Sequence, residues 1–396
     1  MKVENTAVAL PEHVTKLMDR FHLAEKEIFL VGGSLRDMLL GIEPHDFDLA
    51  TSALPEETME LFSDMRVIAT GLKHGTVTVI AGGEPIEITT FRIDGSYTDS
   101  RHPDSVSFTS DIREDLSRRD FTVNAIAYSI ADGIVDPFGG KADLGRRLIR
   151  AVGDPRLRFT EDALRIMRAF RFSAQLGFSI DEDTLLGAQE KRDGLANIAR
   201  ERIATEFLKL ILTTRPESAL HAMIRTGVLD YVVGNYCPSD KTIDTLYQMP
   251  RTDTARLGYF LSEADPDAAR NILHSLKYSN KQIIGALAVA RGARATLSTP
   301  ADARRFIAYQ GVYASEAVRA SVLWGNSPKE AICWVDESQA PSKLSDLEIS
   351  GRDLLRLGFS GKDIGKTLEA LLDAVINTPE LNDRDTLLQM AQEKLK

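Results

Sequence analysis

The chain has the length and composition of an ordinary globular protein, with an acidic net charge. It contains 396 residues, 43% hydrophobic and 27% charged, which is enough for about two to four domains with their own cores. The formal net charge of -10 argues against a nonspecific polyanion binder, so any RNA contact has to come from a local basic patch. No apolar run reaches about 18 residues and no signal-peptide layout is present, which predicts a cytoplasmic protein without a membrane partner.

The two cysteines, Cys237 and Cys333, lie far apart in the sequence. Neither belongs to a Cys-x-x-Cys or Cys/His pattern, so the sequence predicts no zinc site and no disulfide framework. We expect both side chains to be buried thiols.

The chain begins with a predicted helix from Pro11 to Arg20, packed through Val14, Leu17 and Met18. The next segment reads IFLVGGSLRDMLLGIEPHDFDLAT and covers residues 28–51. Its apolar runs, glycines and amphipathic middle predict the order strand, glycine turn, helix, strand.

Two features of that segment indicate nucleotide chemistry. Gly32 and Gly33 lie just before the helix, where backbone N–H groups can approach an anion, and Arg36 lies one turn further on. Asp46 and Asp48 share one face of the second strand because strand side chains alternate. Two such carboxylates repel unless a cation lies between them, and oxygen ligands suit Mg²⁺. The alternative is a solvated acidic pair beside a plain turn.

The joint spacing of GGSLRDMLLG and DFDLAT resembles the signature of the class II tRNA nucleotidyltransferase and poly(A) polymerase family. The resemblance implies an α+β protein, with a polymerase-β-like nucleotidyltransferase head built on a mixed β-sheet and an all-helical remainder. The expected domains are a head over 1–140, a neck over 141–212 that recognises the nucleotide, a body over 213–310 and a tRNA-binding tail over 311–396.

The rest of the head is expected to complete the sheet. A helix runs from Pro55 to Phe62, a strand covers Thr76–Ile80, and Gly82-Gly83 turns the chain into a returning strand over Ile86–Arg92. On that strand Glu87 faces away from its apolar neighbours. It is either the third carboxylate of a catalytic triad or an exposed strand glutamate.

Residues 93–110 are polar and are predicted to form a long loop, either functional or disordered. In the family that the sequence resembles, a flexible loop here helps to switch nucleotide choice, which favours an enzyme that uses both CTP and ATP. Ser110 is expected to cap the next helix. RRDFTVNA follows and resembles the family motif in which Arg119 and Asp120 contact the ribose and Asn124 holds the segment; the residues alone predict only a solvated helix face.

A hairpin over Asp132-Gly133 and a glycine hinge at Gly139-Gly140 are expected to end the head. The stretch from Lys141 to Phe172 then contains nine basic and four acidic residues, a local charge of +5 on an acidic protein. We expect contact with a polyanion to concentrate there.

Within this basic stretch, Thr160 is expected to cap a helix that ends at Gly177. Asp162, Arg165 and Arg168 recur at helical spacing on one side, which by itself predicts an ordinary i,i+3 ion pair between Asp162 and Arg165. The buried stripe on the opposite side is predicted to contain Ala163, Met167, Phe170 and Ala174.

Asp162 and Arg165 also suit a chemical role in base selection. Cytosine and adenine present an amino donor beside a ring-nitrogen acceptor, whereas uracil and guanine present the reverse pattern. An ionised aspartate beside an arginine therefore selects CTP and ATP without a template. EDALRIMRAFRF resembles the family motif credited with this role, and the same resemblance places Arg168 and Arg171 at the triphosphate.

Beyond Phe178 the sequence predicts helices almost throughout, starting with a neck-like segment, IARERIATEFLKLIL. Near the end, LGFSGKDIGKT imitates a phosphate loop, but Ser360 stands where its first glycine is required, so we expect a turn between Leu357 and Leu368. The later helices are predicted over Ala219–Gly227, Thr242–Gln248, Asp267–Leu276, Lys281–Arg291, Ala301–Tyr309 and Ser315–Leu323.

The C-terminal pattern resembles that of bacterial CCA-adding tRNA nucleotidyltransferases. The resemblance implies template-independent addition of C, C and A to the 3′ end of tRNA from CTP and ATP, with two Mg²⁺ ions held by Asp46 and Asp48. A poly(A) polymerase or an A-adding enzyme of the same family is the alternative. An RNA-binding module with an inert head is the alternative from another class, and the oligomeric state is left open.

Overall fold

The computed structural model describes residues 8–95, 106–338 and 340–394. The chain forms two compact units, one of Met1–Leu210 with Thr214–Asn235 and one of Ile211–Thr213 with Tyr236–Lys396. Within the described ranges, no helix is both long and apolar enough to cross a membrane. The division into head, neck, body and tail stays a prediction.

A mixed seven-stranded sheet organises the N-terminal part of the first unit, as the sequence predicted. Its strand order is β3-β4-β5-β2-β1-β8-β9. Strands β2 and β5 run parallel, and the other neighbouring pairs are antiparallel. The strands of the unit are β1 (Ile28–Val31), β2 (Asp48–Thr51), β3 (Val67–Gly71), β4 (Thr76–Ala81), β5 (Glu84–Thr90), β6 (Arg92–Asp94), β7 (Val106–Phe108), β8 (Ala127–Ser129), β9 (Gly133–Val135), β10 (Leu148–Ile149) and β11 (Ser179–Ile180).

Helices cover the sheet and make up the rest of the first unit. Strand β1 is buried along its whole length, and Phe29 and Val31 pack with Ala50, Phe91 and Leu116 in one core cluster. The helices, in chain order, are α1 (Glu12–Leu23), α2 (Gly32–Leu39), α3 (Pro55–Leu61), α4 (Ile112–Ser117), α5 (Gly140–Arg146), α6 (Pro155–Glu161), α7 (Leu164–Leu176), α8 (Glu182–Lys191), α9 (Arg200–Ile211), α10 (Glu217–Thr226) and α11 (Asp230–Val233).

The predicted loop over 93–110 is partly a hairpin. Strands β6 and β7 pair antiparallel on either side of residues 96–105, which lie outside the described residues together with the proposed nucleotide switch. After the hairpin, the side chain of Asp111 accepts a hydrogen bond from the Arg113 N–H and caps α4. The prediction that Ser110 caps this helix is therefore wrong by one residue, since the aspartate is the stronger acceptor.

The predicted helix from Thr160 to Gly177 is broken near its start. Helix α6 ends at Glu161, Asp162 is extended, and α7 begins at Leu164. Thr160 lies inside α6, where its hydroxyl donates to the Arg156 carbonyl instead of capping a helix. The break arises because the Asp162 carboxylate accepts the N–H of Leu164 (3.0 Å) and so competes with the helical hydrogen bond. The predicted buried stripe is confirmed.

The second unit is helical, and the predicted helices that fall in it are confirmed within two residues of their ends, with one exception. The helix predicted to end at Gln248 is α-helical only to Thr245 and continues as a 3-10 turn. Helices α13 and α15 cross closely at Gly258, where a Cβ atom would lie 2.5 Å from the Ala286 carbonyl oxygen. The helices are α12 (Asp240–Thr245), α13 (Asp253–Phe260), α14 (Pro266–Ser275), α15 (Asn280–Gly292), α16 (Pro300–Gln310), α17 (Ala314–Trp324), α18 (Glu330–Asp336), α19 (Gly351–Arg356), α20 (Lys362–Asn377) and α21 (Arg384–Glu393).

Two expectations for the second unit are wrong. The phosphate-loop imitation is a turn only as far as Gly361, whose φ is +57°, and α20 continues from Lys362 through the rest of it. Cys237 and Cys333 are exposed. Cys333 lies on the outer side of α18, whose buried positions are Ala331 and Val335.

Candidate active site

Three carboxylates predicted for catalysis lie near one another at one end of β2. Asp48 is the first residue of β2 and pairs in register with Glu87 of β5, and Asp46 is exposed just before the strand. The prediction that the strand includes Asp46 is wrong. Phe47 is nevertheless buried, so the side chains of Asp46 and Asp48 both lie on the side away from the core, as predicted. Burial and the charges of Asp46 and Glu87 raise the pKa of Asp48 to about 6.

This carboxylate cluster fits an open metal site. Among the described residues, no group of three His, Cys, Asp or Glu side chains is arranged to hold a metal by protein ligands alone. Mg²⁺ commonly takes only one or two carboxylates and completes its coordination with water and substrate phosphates. Asp46 and Asp48 supply oxygen ligands only, and a cation between them relieves the repulsion that raises the pKa of Asp48.

Gly32 brings the start of α2 close to the carboxylates. Its φ is +75°, and a Cβ atom there would lie 3.2 Å from Nη1 of Arg119 and 3.5 Å from Oδ2 of Asp48. Gly33 lies over Arg36, with a would-be Cβ 3.5 Å from that guanidinium. The sequence placed both glycines before the helix, whereas the helix begins at Gly32 itself. The close approach of the helix start to these side chains is compatible with the predicted phosphate cradle, which stays a prediction.

A buried hydrogen-bond chain connects this glycine turn to the RRDFTVNA segment. Arg36 donates to Oδ1 of Asn124 (2.8 Å), and Nδ2 of Asn124 donates to Oδ1 of Asp120 (3.0 Å). Nε of Arg168 donates to Oδ2 of Asp120 (2.7 Å). Burial opposes ionisation of Asp120, but the charge of Arg168 and these hydrogen bonds hold its pKa at about 2. The interpretation of Asp120 as part of a solvated helix face is therefore wrong.

Arg118 and Arg119 are both held by Asp115, for which the sequence predicted no role. Asp115 is fully buried, and its carboxylate accepts from Arg118 (2.7 Å) and Arg119 (3.1 Å). Burial opposes ionisation of Asp115, and the two guanidinium charges lower its pKa. Within the described chain the buried Nε of Arg119 has no hydrogen-bond partner, and Nη1 of the same guanidinium lies beside Gly32.

Asp162 and Arg165 do not form the i,i+3 ion pair with each other, so that expectation is wrong. Nη1 of Arg165 pairs with Glu161 (2.5 Å), and Nη2 donates to the Arg118 carbonyl (3.0 Å). Asp162 instead pairs with Nη2 of Arg202 on α9 (3.3 Å). The cause is the helix break, which places Asp162 outside α7.

Three arginines surround one aromatic ring on α7. The guanidinium carbons of Arg36, Arg168 and Arg171 lie 5.1, 5.2 and 3.9 Å from the ring centroid of Phe172. Arg171 is also paired with buried Glu206 of α9, and burial lowers the pKa of Arg171. The ring faces offset part of the repulsion among three neighbouring cations. The structure thus brings the predicted phosphate-binding arginines together on Phe172.

Three protein-family models match the chain in succession. Residues 28–150 match the poly A polymerase head domain, and residues 177–236 match a family described as the probable RNA and SrmB-binding site of polymerase A. Residues 254–391 match the second domain of tRNA nucleotidyltransferases. Together these matches begin at the first sheet strand and end within the last helix.

Curated relatives match over almost the full length. The chain is 39% identical over 391 residues to a CCA-adding enzyme of Leuconostoc mesenteroides, covering 96% of this chain and 94% of the relative. It is 38% identical over 407 residues to a CCA-adding enzyme of Limosilactobacillus fermentum, with all of both chains covered. The chain belongs to the CCA-adding enzymes. The resemblance noted in the sequence is thereby confirmed.

Solved structures of CCA-adding enzymes have the same fold. One from Bacillus stearothermophilus, in complex with CTP, superimposes with a TM-score of 0.80 at 30% identity and covers 97% of each chain. One from Thermotoga maritima, complexed with tRNA, has a TM-score of 0.74 at 24% identity, and the match covers 98% of this chain and 97% of that chain. At that lower identity the second match supports the fold alone. The α+β fold with a nucleotidyltransferase head is confirmed.

Three residues that hold the site of this CCA-adding enzyme together were not predicted from the sequence. Asp115, Phe172 and Glu206 act only through partners, and Glu206 lies 35 residues from the arginine that it holds. Asp115 had a local signal, since it precedes Arg118 and Arg119, just past the end of α4, by three and four residues. Phe172 and Glu206 had none, because their arginine contacts depend on how helices pack.

Substituting Gly32 with alanine tests the close approach of α2 to the site. We expect Gly32→Ala to lose about 1–2 kcal/mol of unfolding free energy, because alanine is strained at positive φ. It should also reduce nucleotide addition about 10-fold or more by displacing Arg119. The matched control is Gly41→Ala, which also has positive φ (+73°) but nothing within 4 Å of its would-be Cβ. Equal activity of the two variants would contradict the assignment.

Proposed function

We propose that the protein adds C, C and A to the 3′ end of tRNA, using CTP and ATP and releasing pyrophosphate. The observation that carries this proposal is the register of Asp48 with Glu87 beside Gly32 and Arg119. Full-length similarity to CCA-adding enzymes supports the substrate class. We propose that the reaction takes place in the cytoplasm, with a head over 1–140, a neck over 141–212, a body over 213–310 and a tRNA-binding tail over 311–396.

The acidic cluster would organise the chemistry at the α-phosphate. Asp46 and Asp48 would hold Mg²⁺, and Glu87 would complete the triad by adding negative charge beside them. When bound, the metal ions supply two effects: they lower the pKa of the attacking 3′-hydroxyl and neutralise charge on the leaving phosphates. Removal of divalent ions with a chelator should abolish nucleotide addition, and Mg²⁺ should restore it.

The neighbouring groups would bind the nucleotide. The backbone of Gly32 and Gly33 offers N–H donors at the start of α2, and Arg119 has an unused Nε donor for the sugar or phosphate. Arg36 and Asn124 hold Asp120 in place for the ribose. In the same arrangement, the remaining N–H groups of Arg168 and Arg171 would bind the triphosphate, while Phe172 keeps the two guanidiniums in position.

Base choice would depend on Asp162 and Arg165. Arg165 has five N–H donors, and its hydrogen bonds to Arg158, Glu161 and Arg118 are made by Nη1 and Nη2. Asp162 accepts with one oxygen from a backbone N–H and with the other from Arg202. The amino group of cytosine or adenine would donate to Asp162, and the ring nitrogen beside it would accept from Arg165. Uracil or guanine would instead place a carbonyl acceptor against the Asp162 carboxylate and an N–H donor against Arg165.

Substituting Arg165 with alanine tests this selection. We expect the preference for CTP over UTP, measured as the ratio of kcat/KM values, to fall about 10- to 100-fold, because a hydrogen bond to a charged group is lost. Binding of tRNA should change less than about threefold, which is under 1 kcal/mol. Arg158→Ala is the matched control, since Arg158 also pairs with Glu161 (2.9 Å). Equal losses of base preference and tRNA affinity would count against the role.

A direct assay separates the candidate activities. Purified protein is incubated with tRNA that lacks its 3′ end, together with CTP and ATP, and the products are sized. A stop after three additions supports the proposal. A long adenosine tail indicates a poly(A) polymerase, a single adenosine on tRNA ending in CC indicates an A-adding enzyme, and binding without any addition indicates an RNA-binding module with an inert head.

A further inference from the structure

The first unit contains a second basic site, in a cavity at the C-terminal end of α7. The cavity has a volume of about 820 Å³ and lies between the end of α5, the α7–β11 turn and the start of α10. Its lining includes Arg146, Arg147, Arg215 and Arg225 and a single acid, Glu217. None of these five residues belongs to the proposed catalytic cluster.

Charge identifies the kind of ligand that this cavity fits. Four arginines and one glutamate give its wall a formal charge of +3 on a protein with a net charge of -10. Arginine is the residue that most often binds phosphate with paired donors. A concave wall concentrates this positive potential, which an exposed arginine on a flat surface does not do.

Glu217 indicates that the ligand also carries a hydrogen-bond donor. Oε2 of Glu217 is buried, and within the described part of the chain it has no hydrogen-bond partner. A buried carboxylate oxygen without a donor is costly, so a donor from the ligand would satisfy it. A ribose supplies such a donor through its 2′-hydroxyl, next to the phosphate that the arginines attract.

An apolar cleft adjoins the cavity and shares a wall with it. The cleft measures about 310 Å³ and is lined by Leu40, Ile42, Leu144 and Phe178 as well as Arg147. The Arg147 guanidinium lies 5.7 Å from the centroid of the Phe178 ring. A base fits against the exposed Arg147 guanidinium, which the buried Phe178 ring supports, while its own phosphate lies in the basic cavity.

The position along α7 relates the cavity to the active site. Gly177 at its rim follows Arg165 by twelve residues, about 18 Å along a helix axis. Gln175, which lines both the cavity and the cleft, accepts a hydrogen bond from Arg171 of the candidate active site (2.8 Å). We propose that the cavity binds one nucleotide unit of the tRNA strand some distance from its 3′ end, an inference that rests on the proposed function.

Binding of tRNA to the full-length protein, without added nucleotides, tests this site. For Arg215→Ala/Arg225→Ala we expect the Kd to rise about 10-fold and the slope of log Kd against log salt to fall by about 1, as for one lost phosphate contact. Arg215→Lys/Arg225→Lys should retain most of the slope. Lys16→Ala/Arg20→Ala, which removes two cations from α1, should leave both quantities unchanged. An unchanged Kd and slope in the first variant would overturn the proposal.

The ribose contact has its own test. We expect Glu217→Ala to lower the preference for tRNA over a DNA copy of the same sequence about 5- to 10-fold, which corresponds to one lost hydrogen bond. If Glu217→Ala instead binds tRNA and DNA more tightly by the same factor, the ribose contact is overturned, because Glu217 then acts only by repelling phosphate.

Two further results separate this site from the proposed activity. A rise in KM for CTP with no change in tRNA binding in Arg215→Ala/Arg225→Ala would overturn the assignment to tRNA. A wild-type protein that binds tRNA without adding C, C and A, and that loses affinity in this variant, would support the cavity and overturn only the activity.

Discussion

Replacing Asp48 with asparagine is expected to reduce nucleotide addition about 10³-fold or more, because the carboxylate that we propose as the central metal ligand is lost. The fold should be retained, since asparagine has nearly the same shape. The measurement is single-turnover addition of CTP to tRNA lacking its 3′ end. Asp64→Asn is the matched control: Asp64 is an exposed acid of the same unit, paired with Arg20 (2.6 Å), and its loss should leave addition unchanged. Full activity of Asp48→Asn would contradict the site assignment.

Asp48→Asn should lower activity but raise the stability of the fold at neutral pH. The pKa of Asp48 in the folded protein, about 6, is above the value of an aspartate in an unfolded chain, about 3.9. The folded state therefore holds this proton more tightly, and the stability that Asp48 contributes falls as pH rises from about 4 through 6. In chelator-containing buffer, Asp48→Asn should melt at a higher temperature than the wild type at pH 7, and the difference should disappear near pH 4.

Substituting Asp120 with alanine is expected to cost about 1–3 kcal/mol of unfolding free energy, because it removes the buried carboxylate that pairs with the half-buried Arg168 guanidinium. Urea unfolding monitors this loss. The pKa of Asp120 is depressed to about 2, so the stability that it contributes is present above about pH 4 and is lost as pH falls toward 2. The difference between variant and wild type should shrink over that range.

A second variant identifies the cause of this loss. Asp120→Ala/Arg168→Met removes both charges and should recover most of the unfolding free energy, because a buried pair replaced by apolar groups is close to neutral. If the double variant is as unstable as Asp120→Ala, the packing around Asp120, and not the unpaired charge, accounts for the loss. A loss below about 1 kcal/mol in Asp120→Ala would contradict the view that the buried Asp120 carboxylate stabilises the fold through Arg168.

The regular elements of this protein could be predicted because their signals are local. The strand at Ile28–Val31 is an apolar run that ends in glycine, and helices such as Pro266–Ser275 bury residues at helical spacing, here Ala269 and Leu273. The register that places Asp48 beside Glu87 could not be derived from alternation alone, since it depends on β2 and β5 pairing in parallel across 39 positions. From the sequence, Glu87 could therefore be either the third carboxylate of the triad or an exposed strand glutamate.

The errors occurred where side chains compete with the backbone or pair over long distances. Asp162 interrupts a helix that apolar spacing alone would continue, because its carboxylate takes the N–H of Leu164. The partner of Arg168 is 48 residues away, and the partner of Asp162 is 40 residues away. No periodic pattern contains such pairs. The roles of the predicted site residues stay predictions, although the structure brings most of their side chains together.

The most direct test measures single additions to three tRNA substrates, ending before the first C, after the first C and after the second C. Each is offered CTP, ATP, UTP or GTP separately, with Mg²⁺. We expect CTP alone to be added to the first two substrates and ATP alone to the third, with no addition to a complete end. Addition of ATP to all three substrates, or addition of UTP or GTP at rates similar to CTP, would contradict the account.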